Sequence, residues 1–481
     1  MLIKDEALLE ALHNYLHKHE DEEITVDDLV QLTSFSARKA DIHDLSGLEH
    51  AINLTYLDLT GNYINSLDVL SSMEQLSYLN VSKNQIRELW PISQLRELKR
   101  LDLSNNNLYM MDLTAISRLD NLEELNLDRA KINSIEPLEG MKRLRVLHLG
   151  VAGQAPSIYP LATLPSLEVL TMNHMWMYDI NDLTYLSNLK HLELSTNLFS
   201  DLSPLKTMKH LQVLDLSNNE YLRNVSVLSE LTELKDLNLS YDPVDDFGFL
   251  KDLNQLSALR LAQTGLRDVS VLEHLLHLEK LDLSDNHIHH IERLSDLREL
   301  IYFKASNCQL HTIDFLKHAG KLEELSLYNN MIKDIDILNH CNGLTTLDVS
   351  NNNIRRIDAL KEQYNLECLL LANNSICDIE PLKNLTNLGV LDLYNNVVED
   401  LHPLSNLVNL IRLRLDHNSI IDLQPLDKLI YLSSLSLKAN YIIDVSPLKK
   451  LTSLYELRLD DNPIMDISVL EDLEYYDKFS S

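Results

Sequence analysis

A 22-residue repeat runs from about Leu32 towards the end of the chain and restricts the folds open to it. The consensus of the copies is L-x-x-L-x-L-x-x-N-x-I, followed by a short D-I-x-P-L-x-x-L segment. A repeat this short cannot bury its own apolar side chains, so neighbouring copies must stack, and the sequence predicts a solenoid. The first leucines of the twenty repeats, the first of them degenerate, are Leu32, Leu54, Leu76, Leu98, Leu122, Leu144, Leu167, Leu189, Leu211, Leu234, Leu256, Leu278, Leu300, Leu322, Leu344, Leu366, Leu388, Leu410, Leu432 and Leu454.

The first half of a repeat alternates apolar and polar side chains. In the copy that begins at position 388, Leu391 and Leu393 alternate with Val390, Asp392 and Tyr394. This alternation predicts a short strand with both leucines facing inward and the other three side chains facing out. Strands from successive repeats then form a parallel sheet, whose outward side chains come from the third, fifth, seventh and eighth positions of each repeat.

The second half of a repeat carries two polar side chains with structural roles. Thirteen repeats have asparagine at the ninth position, such as Asn396, where the chain turns away from the strand. An asparagine amide can bond to backbone groups that the turn would otherwise leave unpaired. Asp400, three residues before Pro403, suits the start of a short helical turn, because the free N–H groups there need an acceptor.

This period and pattern are typical of leucine-rich repeats. We therefore predict an α/β solenoid: a curved horseshoe with a parallel β-sheet on its concave face and short helical or 3-10 turns on its convex face. An N-terminal helical cap is predicted at 1–31, about twenty repeats at 32–475 and a C-terminal tail at 476–481. In the cap, the spacing of Leu8, Leu12 and Leu16 predicts a helix, and 24–29 resembles the start of a second. Tyr475, Tyr476 and Phe479 are predicted to close the last layer.

The charge of the chain bears on its partners. The chain has 42 lysine and arginine residues and 73 aspartate and glutamate residues, which gives a formal net charge of -31. Without a basic stripe, binding to nucleic acid or to an anionic membrane is disfavoured, and a basic or mixed-charge protein partner fits better. No apolar run has the length of a signal peptide or membrane span, so from Met1 we expect a cytoplasmic protein, or a secreted one if a leader was removed. In isolation we expect a monomer.

Several phrases resemble a known family. The segments ITVDDL at 24–29, LTSF at 32–35, IHDLSGLE at 42–49 and DVSPL at 444–448 are similar to the internalin-type leucine-rich repeats of Gram-positive bacteria. The likeness extends over nearly the whole chain. It implies a curved domain that grips another protein on its concave face and is not itself an enzyme. The signal peptide, immunoglobulin-like domain and wall anchor of the secreted members have no counterpart in this sequence.

The function that follows is a non-catalytic scaffold for protein–protein interaction. Three alternatives stay open: an inhibitor or immunity protein that neutralises a toxin or enzyme, an internalin-like adhesin that binds a host protein, and a regulatory subunit of an enzyme such as a phosphatase. No phosphate loop, catalytic triad spacing or zinc-protease motif occurs in the sequence. We accordingly predict neither enzyme activity nor a cofactor.

Two patches of outward positions are candidate partner-binding sites. The seventh position is mostly a small residue, often serine, so the large side chains of Tyr328 and Tyr394 are conspicuous there. Tyrosine and arginine are frequent anchors of protein interfaces because they bury a large area and keep a polar end. The first patch comprises Arg260, Lys280, Tyr302, Lys304 and Tyr328, and the second comprises Leu370, Tyr394, Arg412, Arg414 and His417.

The middle of the chain departs from the pattern. Ala130, Ala152 and Met175 replace the turn asparagine in three successive repeats, and 151–156 and 173–178 are irregular. Losing three neighbouring turn bonds predicts a loosened or re-curved stack, with faster amide exchange between about 130 and 177. Met175 and Met177 are expected in the core. The segment is also a candidate binding region, through His148, His174 and Trp176, or a purely structural accommodation.

Other chemistry-bearing residues have simple explanations. Cys308, Cys341, Cys368 and Cys377 show no C-x-x-C spacing, which indicates a reducing compartment, with Cys308 buried at a turn position and Cys368 a concave-face thiol. His287, His289 and His290 form a histidine cluster, with His311 one repeat beyond His289, but no third metal ligand is evident and a solvated turn is the better interpretation. The ladder of Asp378, Asp400, Asp422, Asp444 and Asp466 could attract calcium, although helix capping explains it more simply.

Overall fold

The computed structural model describes residues 2–108, 112–150 and 157–470. The chain divides into two compact units, Met1–Leu253 and Asn254–Ser481, which we call the N-terminal and C-terminal units and describe separately. The irregular segment at 151–156, including Ala152, lies outside the described residues, as do Tyr475, Tyr476, Phe479 and the predicted tail at 476–481. The boundaries assigned to cap, repeats and tail stay predictions.

Two α-helices precede the first strand. Helix α1 spans Glu6–Leu16, with Leu8 and Leu12 fully buried as their spacing predicts. Asp5 caps it by accepting the N–H of Leu8 at 2.9 Å, and its other oxygen accepts two N–H groups at 43 and 44. Helix α2 spans Val26–Val30, and Thr25 and Asp28 form a reciprocal capping box at its start. Asp5 thereby ties the helical segment to the first repeats.

The described residues of each unit form ten parallel strands, and consecutive strands pair in sequence order within the unit. In the N-terminal unit the strands are β1 Ser34–Ser36, β2 Tyr56–Asp58, β3 Tyr78–Asn80, β4 Arg100–Asp102, β5 Glu124–Asp128, β6 Val146–Gly150, β7 Val169–Asn173, β8 His191–Glu193, β9 Val213–Asp215 and β10 Asp236–Asn238. In the C-terminal unit they are β11 Ala258–Arg260, β12 Lys280–Asp282, β13 Tyr302–Lys304, β14 Glu324–Ser326, β15 Thr346–Asp348, β16 Cys368–Leu370, β17 Val390–Asp392, β18 Arg412–Arg414, β19 Ser434–Ser436 and β20 Glu456–Arg458.

Short 3-10 helices return the chain from one strand to the next, as predicted. In the N-terminal unit they are Leu48–His50, Asp68–Ser72, Trp90–Gln94, Leu113–Arg118, Glu136–Leu138, Tyr159–Thr163, Asn181–Tyr185, Ser203–Thr207, Ser226–Glu230 and Gly248–Asp252. In the C-terminal unit they are Val269–Leu272, Ile291–Leu294, Asp314–His318, Asp336–His340, Asp358–Leu360, Glu380–Leu382, His402–Leu404, Gln424–Leu426, Ser446–Lys450 and Ser468–Leu470.

The core is a column of equivalent leucines. Strand residues pair with the residue at the same repeat position, as in Leu369 with Leu391 and Leu391 with Leu413. These three side chains are at most 2% exposed, and Leu393 is fully buried. Burying one such leucine contributes about 1.5–3 kcal/mol. The predicted inward and outward alternation is therefore confirmed.

The turn asparagine joins its repeat to the preceding one. The Nδ2 group of Asn396 donates to the carbonyl oxygens of Leu371 at 3.0 Å and Leu393 at 3.2 Å. Its Oδ1 atom accepts the N–H of Ile376 at 3.0 Å. Two of these three partners belong to the preceding repeat, so the amide satisfies buried backbone groups of its neighbour as well as of its own turn. The predicted role of this asparagine is confirmed.

The aspartate ladder serves the starts of the 3-10 helices. Each of these carboxylates accepts the backbone N–H two residues further on, at 2.8–2.9 Å, in accordance with the capping interpretation. Capping accounts for the position of all five: Asp378, Asp400, Asp422, Asp444 and Asp466.

The irregular repeats have longer strands than their neighbours. Strands β5, β6 and β7 each contain five residues, whereas the other strands of this unit contain three. The extra residues pair in register, Leu127 with Leu149 and Leu149 with Met172. Ala130 and Met175, at the turn positions, are fully buried. Additional strand hydrogen bonds thus occupy the place where the asparagine amides are missing.

The longer strands change the expected rate of amide exchange in β5, β6 and β7. We expect the amides of β5, β6 and β7 to exchange no faster than those of β3 and β9, because the longer ladder pairs them with neighbouring strands. Hydrogen–deuterium exchange read by mass spectrometry, with peptides covering each strand, measures this. Faster exchange in the three longer strands would restore the loosening predicted from the missing asparagines.

Candidate partner-binding surface

The outward strand side chains of the C-terminal unit form a continuous surface, which we call the sheet face. Its rows run across the strands at a spacing of about 4.8 Å. Half of its seventh positions are small and buried, namely Ala262, Ser284, Ser306, Ser350 and Ala372. Tyr328, by contrast, is 40% exposed. Large side chains on this face therefore project beyond the small side chains around them.

The first patch is less basic than its sequence indicated. The strand register places Lys280 beside Tyr302, but it also places Asp282 between Arg260 and Lys304. Glu324 follows Tyr302 in the next strand. The Tyr302 ring is half-buried, and this burial raises the pKa of its phenol, so the phenol is neutral at physiological pH. The structure thus brings the predicted residues onto one face and adds two carboxylates that the prediction left out.

Three side chains of the second patch contact one another directly. The guanidinium carbon of Arg414 lies 4.1 Å from the centre of the Tyr394 ring, a cation–π contact. The imidazole of His417 packs against the same ring edge-on, with ring centres 5.3 Å apart and an interplanar angle of 80°. The tyrosine ring thus contacts both a cation and a second aromatic ring.

The buried carboxylate of Asp416 holds the Arg414 side chain in place. Asp416 is 4% exposed, and its Oδ2 atom accepts from the Nε of Arg414 at 2.9 Å. Its Oδ1 atom accepts from the Ser436 hydroxyl and, at 2.9 Å, from the backbone N–H of Lys438. A second carboxylate, Asp392, lies 3.6 Å from a terminal nitrogen of the same guanidinium. The bond to Asp416 occupies the Nε donor of Arg414 and leaves the N–H groups of the terminal nitrogens to other acceptors.

A cleft of about 310 Å³ opens beside this cluster. The short side chains of Ser434 and Ser436 on β19 lie between longer side chains on β18 and β20, and this difference in length produces the depression. Its lining residues are Leu370, Val390, Leu391, Asp392, Arg412, Leu413, Arg414, Ser434, Ser436, Glu456 and Arg458.

The cleft contains cations and anions with different degrees of pairing. Hydrogen bonds from Ser434 at 2.8 Å and an ion pair with Arg458 at 2.7 Å hold the pKa of Glu456 below its usual value. Burial raises the pKa of Asp392, an effect that a backbone N–H and Arg414 oppose. Arg412 is exposed and, within residues 2–108, 112–150 and 157–470, takes part in no ion pair. Its charge acts on Glu456 at a distance and helps to lower the pKa of that carboxyl.

Comparison with known proteins agrees with this architecture. Family models described as "Leucine Rich repeats (2 copies)" and "Leucine rich repeat" match residues 320–362 and 96–150. A solved TDR receptor covers 91% of this chain and 86% of its own at 22% identity, with a TM-score of 0.59. The plant peptide hormone receptor RGFR1, in complex with RGF2, covers 92% and 87% at 18% identity, with a TM-score of 0.53. This chain has the leucine-rich-repeat fold.

Two further comparisons concern relatives by sequence and the internalin resemblance. Over 80 residues the chain is 39% identical to the disease resistance protein RGA5 of Oryza sativa subsp. japonica, a match that spans 16% of this chain and 7% of that protein. An internalin, InlF of Listeria monocytogenes, covers 94% of both chains at 22% identity, with a TM-score of 0.36. Leucine-rich repeats are confirmed, and a particular kinship with internalins stays a proposal. Among the described residues, no helix is long and apolar enough to cross a membrane.

Leucine-rich-repeat periodicity located the sheet face but not its supporting residues. It selected Tyr394, Arg414 and His417, which the structure brings into contact, and Leu370 and Arg412, which line the adjacent cleft. It overlooked Asp416, because an acid at a seventh position was not expected to be buried. It also overlooked Arg458, although this residue occupies the same outward fifth position as Arg414 and the same rule could have found it.

The other candidates are not among the outward strand residues of the two patches. His148 is half-buried, bonds Thr171 at 3.0 Å, and has its pKa lowered by burial, whereas His174 and Trp176 are exposed. Met175 and Met177 are buried, as predicted. His287 and His289 have ring centres 4.9 Å apart. In the part of the chain that the structure describes, no three His, Cys, Asp or Glu residues are grouped to hold a metal ion.

The cysteines follow the repeat pattern. Cys308 occupies a turn position in the core, where its thiol contacts the carbonyl oxygen of Leu283 at 3.1 Å. Burial raises the pKa of Cys308 and of Cys341 to about 11, so both thiols stay protonated and unreactive at neutral pH. Cys368 is half-buried on the sheet face, at the outward position predicted for it, and Cys377 is exposed.

Proposed function

We propose that this chain is a non-catalytic scaffold that binds a protein partner on the sheet face of its C-terminal unit. The leucine-rich-repeat fold is typical of protein-interaction scaffolds. The observation that carries the proposal is the rigid Tyr394–Arg414–His417 cluster beside an open cleft. Aromatic and arginine anchors next to a depression are the usual source of binding energy in a protein interface.

The proposed mechanism is recognition by a preorganised surface. Arg414 is already fixed by Asp416 and by the Tyr394 ring, so little side-chain entropy is lost when a partner docks. The short strands are held by their neighbours and present their outward side chains at a constant spacing. Many weak polar contacts would set the register of the partner, while Tyr and Arg anchors supply most of the energy.

The nature of the partner follows from the charge. A net charge of -31 favours a protein with basic or mixed surface charge over nucleic acid. The similarity to RGFR1, which was solved with RGF2, supports a protein or peptide ligand for this fold. We place the protein in the cytoplasm and assign it no enzymatic reaction. An inhibitor that encloses a basic enzyme is one form that such a scaffold could take.

The proposal predicts that sheet-face tyrosines are needed for binding. Replacing Tyr302, Tyr328 and Tyr394 together by alanine should weaken partner binding at least about 10-fold, because three anchors are lost at once. The partner is first captured on wild-type protein from extract of the source cell and, separately, from its medium, and then purified. The dissociation constant is measured for wild type and variant by calorimetry.

A matched variant controls for the loss of exposed tyrosine as such. Tyr178, Tyr185 and Tyr221 are 76%, 68% and 52% exposed in the N-terminal unit, and replacing these three by alanine should leave affinity unchanged. Equal affinities for wild type and for the sheet-face variant, with both proteins folded, would contradict the proposed function. Capture only from the medium would contradict the cytoplasmic assignment.

A further inference from the structure

Resting on the proposed function, we infer that the cleft along β19 is a subsite for an acidic side chain of the partner, held by Arg412 and Arg414. The inference adds a chemical identity to the binding site: the docking segment presents an Asp or Glu carboxylate at this point. The argument rests on how the charged groups of the cleft are paired, on the orientation of Arg414, and on the shape of the depression.

Every carboxylate that lines or supports the cleft is already engaged. Asp416 bonds Arg414, Ser436 and a backbone N–H. Glu456 bonds the Ser434 hydroxyl and pairs with Arg458. Asp392 accepts the N–H of its own turn at 2.8 Å and faces Arg414. A cationic group of a partner would compete with these bonds, whereas an anionic group would not.

The cations have unused donors. Arg412 takes part in none of the ion pairs found in the described ranges of the chain, and its side chain is exposed at the edge of the cleft. Arg414 uses its Nε towards Asp416 and one terminal nitrogen towards Asp392, 3.6 Å away, and it has further N–H groups on its terminal nitrogens. The two arginines stand two residues apart on one strand, about 7 Å along it, on the same face. One carboxylate between them would accept from both.

The shape of the cleft favours a side chain over a larger anion-bearing surface. The serines of β19 line the cleft on one side of Arg412 and Arg414, and Val390 and Leu370 line it on the other side. A volume of about 310 Å³ admits a few side chains of an extended segment. The apolar wall accommodates the methylene groups of such a segment while its carboxylate reaches the arginines.

Random dodecapeptides displayed on phage provide a probe that assumes no partner. The library is selected on the immobilised full chain, and clones are retained if they fail to bind the variant that lacks Tyr302, Tyr328 and Tyr394. We expect these face-dependent peptides to be enriched in Asp and Glu. Replacing the acidic residue of a retained peptide by its amide should weaken its binding to wild type about 10-fold.

A double-mutant cycle assigns this effect to the cleft. The acid-to-amide change in the peptide should weaken binding to Arg412→Gln protein by less than about a third of the factor seen with wild type, because this variant already lacks the pair between the arginine and the carboxylate. Arg355→Gln, at an exposed position outside the strands, should behave like wild type. Salt should weaken the wild-type interaction more than that of the Arg412→Gln protein.

Two outcomes would overturn the inference. Face-dependent peptides without acidic enrichment would show that the sheet face binds segments of another chemistry, and the proposed function would stand. An equal loss on wild type and on Arg412→Gln protein would place the carboxylate elsewhere. Failure of the proposed function is a separate result, since it is read from the captured protein partner and the tyrosine variants.

Discussion

Asp242→Asn should raise the stability of the N-terminal unit by at least about 2 kcal/mol at pH 7. Asp242 occupies a turn position at which thirteen other repeats have asparagine. It is fully buried; its Oδ1 atom accepts the N–H of Asn219 at 2.6 Å, while Oδ2 has no hydrogen-bond partner among the described residues. An asparagine at position 242 would supply two N–H donors. The Nδ2 group of Asn219, at the same position of the preceding repeat, donates to the carbonyl oxygens of Leu194 and Leu216. The new amide would donate to the equivalent carbonyl oxygens one repeat further on.

The same substitution should remove a pH dependence. Burial raises the pKa of Asp242 from 3.8 to about 9, so the folded chain keeps the proton at pH 7 and the unfolded chain does not. Folding therefore takes up a proton between these two values, and wild-type stability falls with rising pH from about 4 until about 9, by up to about 1.4 kcal/mol per pH unit. An amide does not titrate, so the variant should lack this slope.

Urea unfolding at several pH values between 5 and 9 measures both effects. The gap in unfolding free energy between variant and wild type should widen as pH rises. Asp245→Asn, a change of the same kind at an exposed position three residues away, should leave stability within about 0.5 kcal/mol of wild type. A constant gap across this pH range would mean that Asp242 is ionised in the folded chain.

Asn396→Ala should destabilise the C-terminal unit by about 2–5 kcal/mol. The substitution removes hydrogen bonds to Leu371, Leu393 and Ile376 and leaves these backbone groups buried without a replacement. A buried polar group that loses its partner costs about 1–3 kcal/mol, and the methyl group of alanine also leaves a void. Water can relieve part of this cost, which sets the lower end of the range.

A neighbouring asparagine provides the control. Asn387 is exposed and donates one bond, to the carbonyl oxygen of Tyr364 at 2.9 Å, so its replacement by alanine should cost about 1 kcal/mol or less. Urea unfolding gives the free energies, and hydrogen exchange shows whether Ile376 and its neighbours lose protection first. Equal costs at the two positions would refute a structural role for the turn amide beyond that of a surface bond.

The periodicity of the sequence was sufficient to predict strands, turns and register, because each prediction was repeated in many copies. Asn396 and Asp400 could be assigned roles before their partners were known, since a turn and a helix start have fixed needs. The longer strands β5, β6 and β7 were not predicted. Losing an asparagine shows which bond is missing, but not that the backbone forms another one in its place.

The binding surface was predictable in outline only. Repeat positions indicate which side chains face out, and they placed Tyr394 beside Arg414 correctly. The buried state of Asp416 depends on donors from the following repeat, namely the hydroxyl of Ser436 and the backbone N–H of Lys438. The cleft depends on differences in side-chain length along β19. Neither property is encoded in the period of a single repeat.

The turn amides point in one direction along the chain. Asn418 bonds Leu393 and Val398, and Asn440 bonds Leu415 and Ile420, so a repeat that is followed by one with a turn asparagine receives its closing bonds from that next repeat. During synthesis from the N-terminus, a repeat that leaves the ribosome therefore supplies these hydrogen bonds to the repeat before it. Its own backbone groups are bonded only when the next repeat has emerged. Shortening the array from its C-terminal side would uncover polar backbone in the repeat left last, whereas shortening from the other side would uncover mainly leucine.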